Sequence, residues 1–108
     1  MKPTRLKSRK AIGALFSHSP VFVNGLRAHF KPHVENSLQV AYSVPKRRFK
    51  RAVDRNRIKR LLREAMKNWM EAQTDLPKGQ LILICTSKEI PDYAEVQSAV
   101  KGIMNKLP

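Results

Sequence analysis

The chain is expected to fold as one α+β domain spanning residues 1–108, a small sandwich in which helices cover a short sheet. Three observations predict this. Residues 26–31 and 38–44 alternate apolar and polar side chains, as half-buried strands do. Residues 54 to about 73 carry apolar side chains at helical spacing. A continuous apolar run, LILICT at 81–86, follows that helix and has the length of a strand covered on both faces. With 108 residues and 42% of them apolar, the chain can bury one modest core.

The elements follow in order. Ser8 can cap a first helix over about 9–17, which places Ile12, Leu15 and Phe16 on one face. Pro20 disfavours helix at the residue before it and ends the element. A weak strand is expected at 21–24, around Val21-Phe22-Val23. In the next strand Leu26, Ala28 and Phe30 face one way, and Arg27, His29 and Lys31 the other. A turn spans Pro32 to Asn36. The following strand puts Leu38, Val40, Tyr42 and Val44 on one face and stops at Pro45. Asp54 is the expected N-cap of the long helix. Ile58, Leu61, Leu62, Ala65, Met66 and Trp69 fill its apolar arc, with Trp69 as a core residue, while Asn56, Arg60, Arg63 and Lys67 lie opposite. A loop at 76–79 leads to the 81–86 strand, and Pro91-Asp92 opens a last helix that buries Val96, Ala99, Val100, Ile103 and Leu107. The order is helix, strand, strand, strand, helix, strand, helix. The long helix, lying between two strands, can serve as a crossover.

Charge is distributed unevenly. The net charge is +14, and all of the excess lies in residues 1–66; residues 67–108 are neutral. Ten of the eighteen residues from 46 to 63 are Lys or Arg: Lys46, Arg47, Arg48, Lys50, Arg51, Arg55, Arg57, Lys59, Arg60 and Arg63. Asp54 is the only acid among them. Glu64 is the only acid between Arg55 and Asn68, so pairing along the helix cannot neutralise the cations. A folded helix with one apolar face and one guanidinium-rich face offers a rigid surface to a polyanion. Guanidinium groups bind phosphate in bidentate fashion, and Lys acts as a point charge.

Several function classes are disfavoured. A nuclease acting alone needs clustered carboxylates for metal ions or a His pair for proton transfer. The eight acids are scattered, and His18, His29 and His33 have no ligand spacing, so neither a catalytic centre nor a zinc site is expected. The single cysteine, Cys85, lies in the apolar 81–86 run and reads as a small buried hydrophobe in a reducing compartment. No stretch approaches the ~18 apolar residues of a membrane span, and the N-terminal segment lacks the apolar core of a signal peptide. A cytoplasmic protein with no membrane association is expected.

The segment VPKRRFKRAVDRNRIKRLLREAM (44–66) resembles the signature of the protein subunit of bacterial ribonuclease P. Its hallmark is Arg55-Asn56-Arg57, followed by Ile58-Lys59-Arg60 and then Arg63-Glu64. Arg5-Leu6-Lys7, the chain length, the basicity and the order of elements agree with that family. The resemblance implies a small α/β sandwich with a left-handed βαβ crossover. It implies a protein subunit of an endoribonuclease that removes the 5′ leader from precursor tRNA, with the chemistry carried by the catalytic RNA subunit and by Mg2+ bound mainly to that RNA. No metal would be held tightly by the protein. The implied partners are the catalytic RNA and the precursor tRNA leader, with no stable protein partner. The ten cations above, together with Asn56 and Lys67, are the expected RNA contacts, and Ile12, Phe16 and Phe30 are the expected lining of a leader-binding cleft, where unpaired bases stack on aromatic rings. Two departures stand out. Ile12 occupies a position where the family often has an aromatic, and Pro45 stands where many members have Ser or Ala. The alternatives are a structural RNA-binding protein, such as a small ribosomal protein, and a sequence-specific DNA-binding module. The first needs no Arg-Asn-Arg helix start, and the second would show a recognition helix and a dimerisation element.

Overall fold

A computed structural model describes residues 4–5, 9–23, 25–32, 37–74 and 76–107. Its elements are β1 (Thr4–Arg5), α1 (Arg9–Leu15), β2 (Val21–Val23), β3 (Leu26–Pro32), β4 (Gln39–Ser43), α2 (Ala52–Glu71), β5 (Gly79–Cys85) and α3 (Tyr93–Lys106). The mixed α+β architecture and the order of elements follow the sequence reading, with β1 added at the start.

The five strands form one sheet in the order β1-β4-β5-β3-β2. β2 and β3 form an antiparallel hairpin, and Gly25 at its turn has φ +89°, a backbone conformation that glycine adopts without a Cβ penalty. β3 pairs antiparallel with β5 along its whole length, from Leu26–Cys85 to Pro32–Gly79. β4 lies parallel to β5 on the other side. Parallel neighbours cannot be joined by a tight turn, so α2 is the crossover between them.

Register assigns the side chains to two faces. On one face Leu26, Ala28 and Phe30 of β3, Val40 of β4, and Leu81, Leu83 and Cys85 of β5 form the main core with Ile58, Leu62, Ala65 and Met66 of α2 and Val96, Val100 and Ile103 of α3. The other face carries a smaller cluster, in which Leu15 of α1 meets Ala41, Ile82 and Ile84, with Ile12 packed beside it. β5 is therefore covered on both sides, as its unbroken apolar run requires. Cys85 is a buried free thiol in the main core, and its burial pushes the thiol pKa up.

Some boundaries differ from the sequence reading. α2 begins at Ala52, not after Asp54; its N-cap is Arg51, in extended conformation, with no side-chain cap bond. Asp54 falls in the first turn, where its charge still favours the helix N-terminus, and it meets Arg51 at 4.0 Å. β5 starts at Gly79, because the ladder with β3 continues through Lys31–Gln80 and Pro32–Gly79. Trp69 packs on the margin of the main core and stays half-buried. α3 is capped by Asp92 in a reciprocal box: its carboxylate accepts from Glu95 N–H at 2.8 Å, and Glu95 Oε1 accepts from Asp92 N–H. The expected cap Ser8, residues 33–36 of the expected turn and His33 lie outside the described residues.

Candidate nucleic-acid interface

The basic segment is built as a turn followed by a helix. Pro45 ends the strand region, and its carbonyl accepts from the backbone N–H groups of Arg48 and Phe49, both at 3.2 Å. A proline is tolerated here because only its acceptor is used. Phe49 is buried in the main core and anchors the turn, leaving Lys46, Arg47, Arg48 and Lys50 exposed. Arg55 then ties the turn to the helix: its Nη1 donates to the carbonyls of Phe49 at 2.8 Å and Lys50 at 2.9 Å.

Along α2 the side chains sort by angle. Ile58, Leu62, Ala65, Met66 and Met70 are buried. Asn56, Arg57, Arg60, Arg63 and Lys67 are exposed, and Lys59 is half-buried. The Arg51–Asp54 contact is the one ion pair among the described residues, and it is long and largely exposed, worth little. The other cations of the turn and helix thus keep their charge available to an outside anion. Arg63 lies over the Tyr42 ring, 5.9 Å from its centroid, which restrains the guanidinium. Tyr42 is mostly buried, its hydroxyl has no partner, and burial pushes its pKa up to about 12 against the opposing pull of Arg63.

The α1 side of the sheet forms a second surface. Register sets Arg27 beside Ile84, His29 beside Ile82 and Lys31 beside Gln80, with Ser43, Ala41 and Gln39 in the same rows one strand further on. α1 has only seven residues, about 10 Å of helix, and cannot roof five strands. At its C-terminal end Phe16 is 48% exposed and packs against His29, with ring centroids 4.9 Å apart. His29 is only 5% exposed. Its Nδ1 lies 2.8 Å from the His18 carbonyl, which can only accept, so Nδ1 donates there, and Nε2 has no partner. The Arg27 Nε–H also lacks a partner. Among the described residues no acid lies within 4.0 Å of a cation of this face.

The expected site residues therefore separate. Lys46, Arg47, Arg48, Lys50, Arg51, Asn56, Arg57, Lys59, Arg60, Arg63 and Lys67 share the turn and the outer side of α2. Arg55, between them, commits its Nη1 to two backbone carbonyls. Ile12 and Phe16 belong to the α1 side of the sheet. Phe30 does not: it is 7% exposed and lies in the core beneath α2 and α3, so its ring is not open to a base. The alternation along β3 is responsible, since the residue that meets Phe16 is its neighbour His29. The sequence reading missed His29, Tyr42 and the exposed Phe22.

A small α+β sandwich whose crossover helix carries an arginine-rich outer side defines a polyanion-binding protein. Comparison with known proteins makes this particular. A model of the Ribonuclease P family matches residues 1–108. The ribonuclease P protein components of two Porphyromonas gingivalis strains are 35% and 34% identical over 111 positions, covering 93% of this chain and 80% of each relative. Among solved structures, the RNase P protein of Thermotoga maritima superposes with a TM-score of 0.81 at 19% identity, over 96% of this chain and 97% of that one. The Staphylococcus aureus RNase P protein gives 0.80 at 19% identity, over 96% and 94%. The chain belongs to the ribonuclease P protein family. It is the protein subunit of an endoribonuclease of tRNA processing, and the RNA subunit is its partner.

Proposed function

We propose that the protein divides its RNA contacts between the two sides of its sheet. The 46–51 turn and the outer side of α2 dock on the catalytic RNA, where phosphates held close together match a rigid array of cations. The α1 side holds the single-stranded 5′ leader of precursor tRNA, with Phe16 as a stacking surface and Arg27 and Lys31 as countercharges. The observation that supports this reading is the placement of cations without acidic partners on two opposed surfaces, one of which also presents an open aromatic ring.

In this reading the protein contributes position and charge, and the RNA contributes the chemistry. No three His, Cys, Asp or Glu side chains come together among the described residues, a donor set that does not suit a resident metal ion. This reading assigns Mg2+ to the RNA and routes no step through the protein's side chains. No helix of the described residues is long and apolar enough to cross a membrane. The cytoplasm, where precursor tRNA is made, is the proposed location, and no stable protein partner is invoked.

Reconstitution tests the proposal. The purified chain, added to the catalytic RNA at low magnesium, should restore specific 5′ cleavage of precursor tRNA, while the RNA-free protein cleaves nothing. Specific cleavage by rigorously RNA-free protein would overturn the assignment of chemistry to the RNA.

A further inference from the structure

Phe22 is the most exposed aromatic side chain among the described residues, at 58%. It lies on β2, at the sheet edge, directly opposite Arg27 of β3. Opposed residues of an antiparallel pair share a face, so Phe22 projects from the same side as Arg27 and His29. That is the side where α1 leaves the sheet uncovered. A lone exposed Phe on a surface needs no explanation. This one has three neighbouring features that do call for one.

First, β2 is a fixed platform. Val21 and Val23 pack into the main core, and Lys106 Nζ donates to the Phe22 carbonyl at 2.9 Å. α3 approaches so closely that a Cβ on Gly102 would sit 2.9 Å from Val23 Cγ1. The edge strand is thus clamped from behind, and its aromatic is presented outward. Second, the face is continuous. Phe16 meets His29, His29 stands two residues from Arg27 on the same side, and Arg27 stands opposite Phe22. The path from Phe16 to Phe22 is on the order of 15 Å, from the rise along a strand and the spacing of cross-strand pairs. A single nucleotide cannot span it, since stacked bases are spaced by only about 3.4 Å. Third, the stretch between the two rings holds two buried polar atoms without a hydrogen-bond partner in the protein, Arg27 Nε and His29 Nε2. No described acid lies within 4.0 Å of the Arg27 guanidinium.

We infer that Phe22 is a second stacking platform for single-stranded RNA, placed one step beyond Phe16, with Arg27 between the two as countercharge to the connecting phosphates. This rests on the proposed leader-binding role of the α1 face and deepens it. It predicts that affinity depends on leader length, with a threshold at the length that reaches the β2 edge.

The test measures holoenzyme affinity for precursor tRNAs whose leaders grow from a single nucleotide upward. Wild type is compared with Phe22→Leu, Phe22→Trp and Phe16→Leu, and each variant is first checked by thermal melting. Phe22→Leu should bind a single-nucleotide leader as wild type does and lose about fivefold or more on long leaders, the lower end of a base–aromatic stack. Phe22→Trp should restore the long-leader affinity, and Phe16→Leu should weaken binding at every leader length. If Phe22→Leu matches wild type on long leaders while Phe16→Leu weakens, the inference about Phe22 fails and the leader-binding reading stands. If Phe22→Leu weakens precursor and mature tRNA alike, Phe22 only supports the fold and the inference fails. If wild type does not distinguish precursor from mature tRNA and neither variant matters, the leader-binding reading itself fails.

Discussion

Replacing Arg55 with Ala should damage RNA binding for a reason unlike that of its neighbours. Its Nη1 donates to two backbone carbonyls, those of Phe49 and Lys50, which close the basic turn onto the start of α2. Because one nitrogen serves both, the pair is treated as a single charge-assisted bond of about 1.5–3 kcal/mol. For a domain of this size each kcal/mol moves the melting temperature by about 4 °C, so a fall of roughly 6–12 °C is expected. RNA affinity should drop as well, since the turn holding Lys46, Arg47, Arg48 and Lys50 loses its tie. The salt dependence should stay nearly unchanged, because no phosphate contact is removed. Arg60→Ala should behave oppositely: native melting, weaker binding, and a log–log salt slope reduced by about 0.7–0.9 for one lost phosphate. The assays are thermal denaturation by circular dichroism and filter binding to the catalytic RNA across a salt series. A native melting curve for Arg55→Ala together with a reduced salt slope would show Arg55 to be a free phosphate ligand and refute this reasoning.

Two further predictions concern the folded state. Phe30→Ala should cost about 3–5 kcal/mol of stability and weaken every RNA interaction in proportion, as loss of a buried ring does; a stable variant that loses only leader-dependent binding would return Phe30 to the cleft. Tyr42 holds its proton more tightly in the fold, with its pKa raised from 10.0 to about 12. Its contribution is therefore fully present below pH 10 and is lost as pH rises through about 12. Tyr42→Phe should be neutral or more stable by ~1 kcal/mol at neutral pH, since it deletes a buried hydroxyl without a partner. Urea denaturation near about pH 9 and about pH 11 should show a smaller loss for this variant than for wild type, and equal losses would contradict the assignment.

Much of the architecture was legible because periodicity reports burial directly. The unbroken run of β5 announced a strand covered on both faces, and the helical spacing from Ile58 onward separated the core side of α2 from its cationic side. Other features were invisible for physical reasons. β1 is two residues long, too short for any alternation to register. Asp54 has the chemistry of an N-cap, yet the Pro45 turn and the Arg55 tie start the helix three residues earlier. In β3 the sequence divided Leu26, Ala28 and Phe30 from Arg27, His29 and Lys31 correctly. It did not say which set would lie beneath two long helices and which beneath one short one. That choice placed Phe30 in the core and left His29 and Phe16 together on the open side. Phe22 escaped notice because an edge strand of three residues has no pattern of its own; its direction follows only from its register with Arg27.

The central claim is that the two sides of the sheet serve two different RNAs. The most direct measurement compares Arg60→Ala/Arg63→Ala with Phe16→Leu in two binding experiments: protein to catalytic RNA, and fully assembled holoenzyme to precursor against mature tRNA. The account predicts that the arginine variant loses affinity for the catalytic RNA and, once assembled at saturating protein, still prefers precursor tRNA as wild type does. It predicts that Phe16→Leu assembles normally and loses that preference. Both variants failing in the same experiment, each with native melting, would contradict the division of labour.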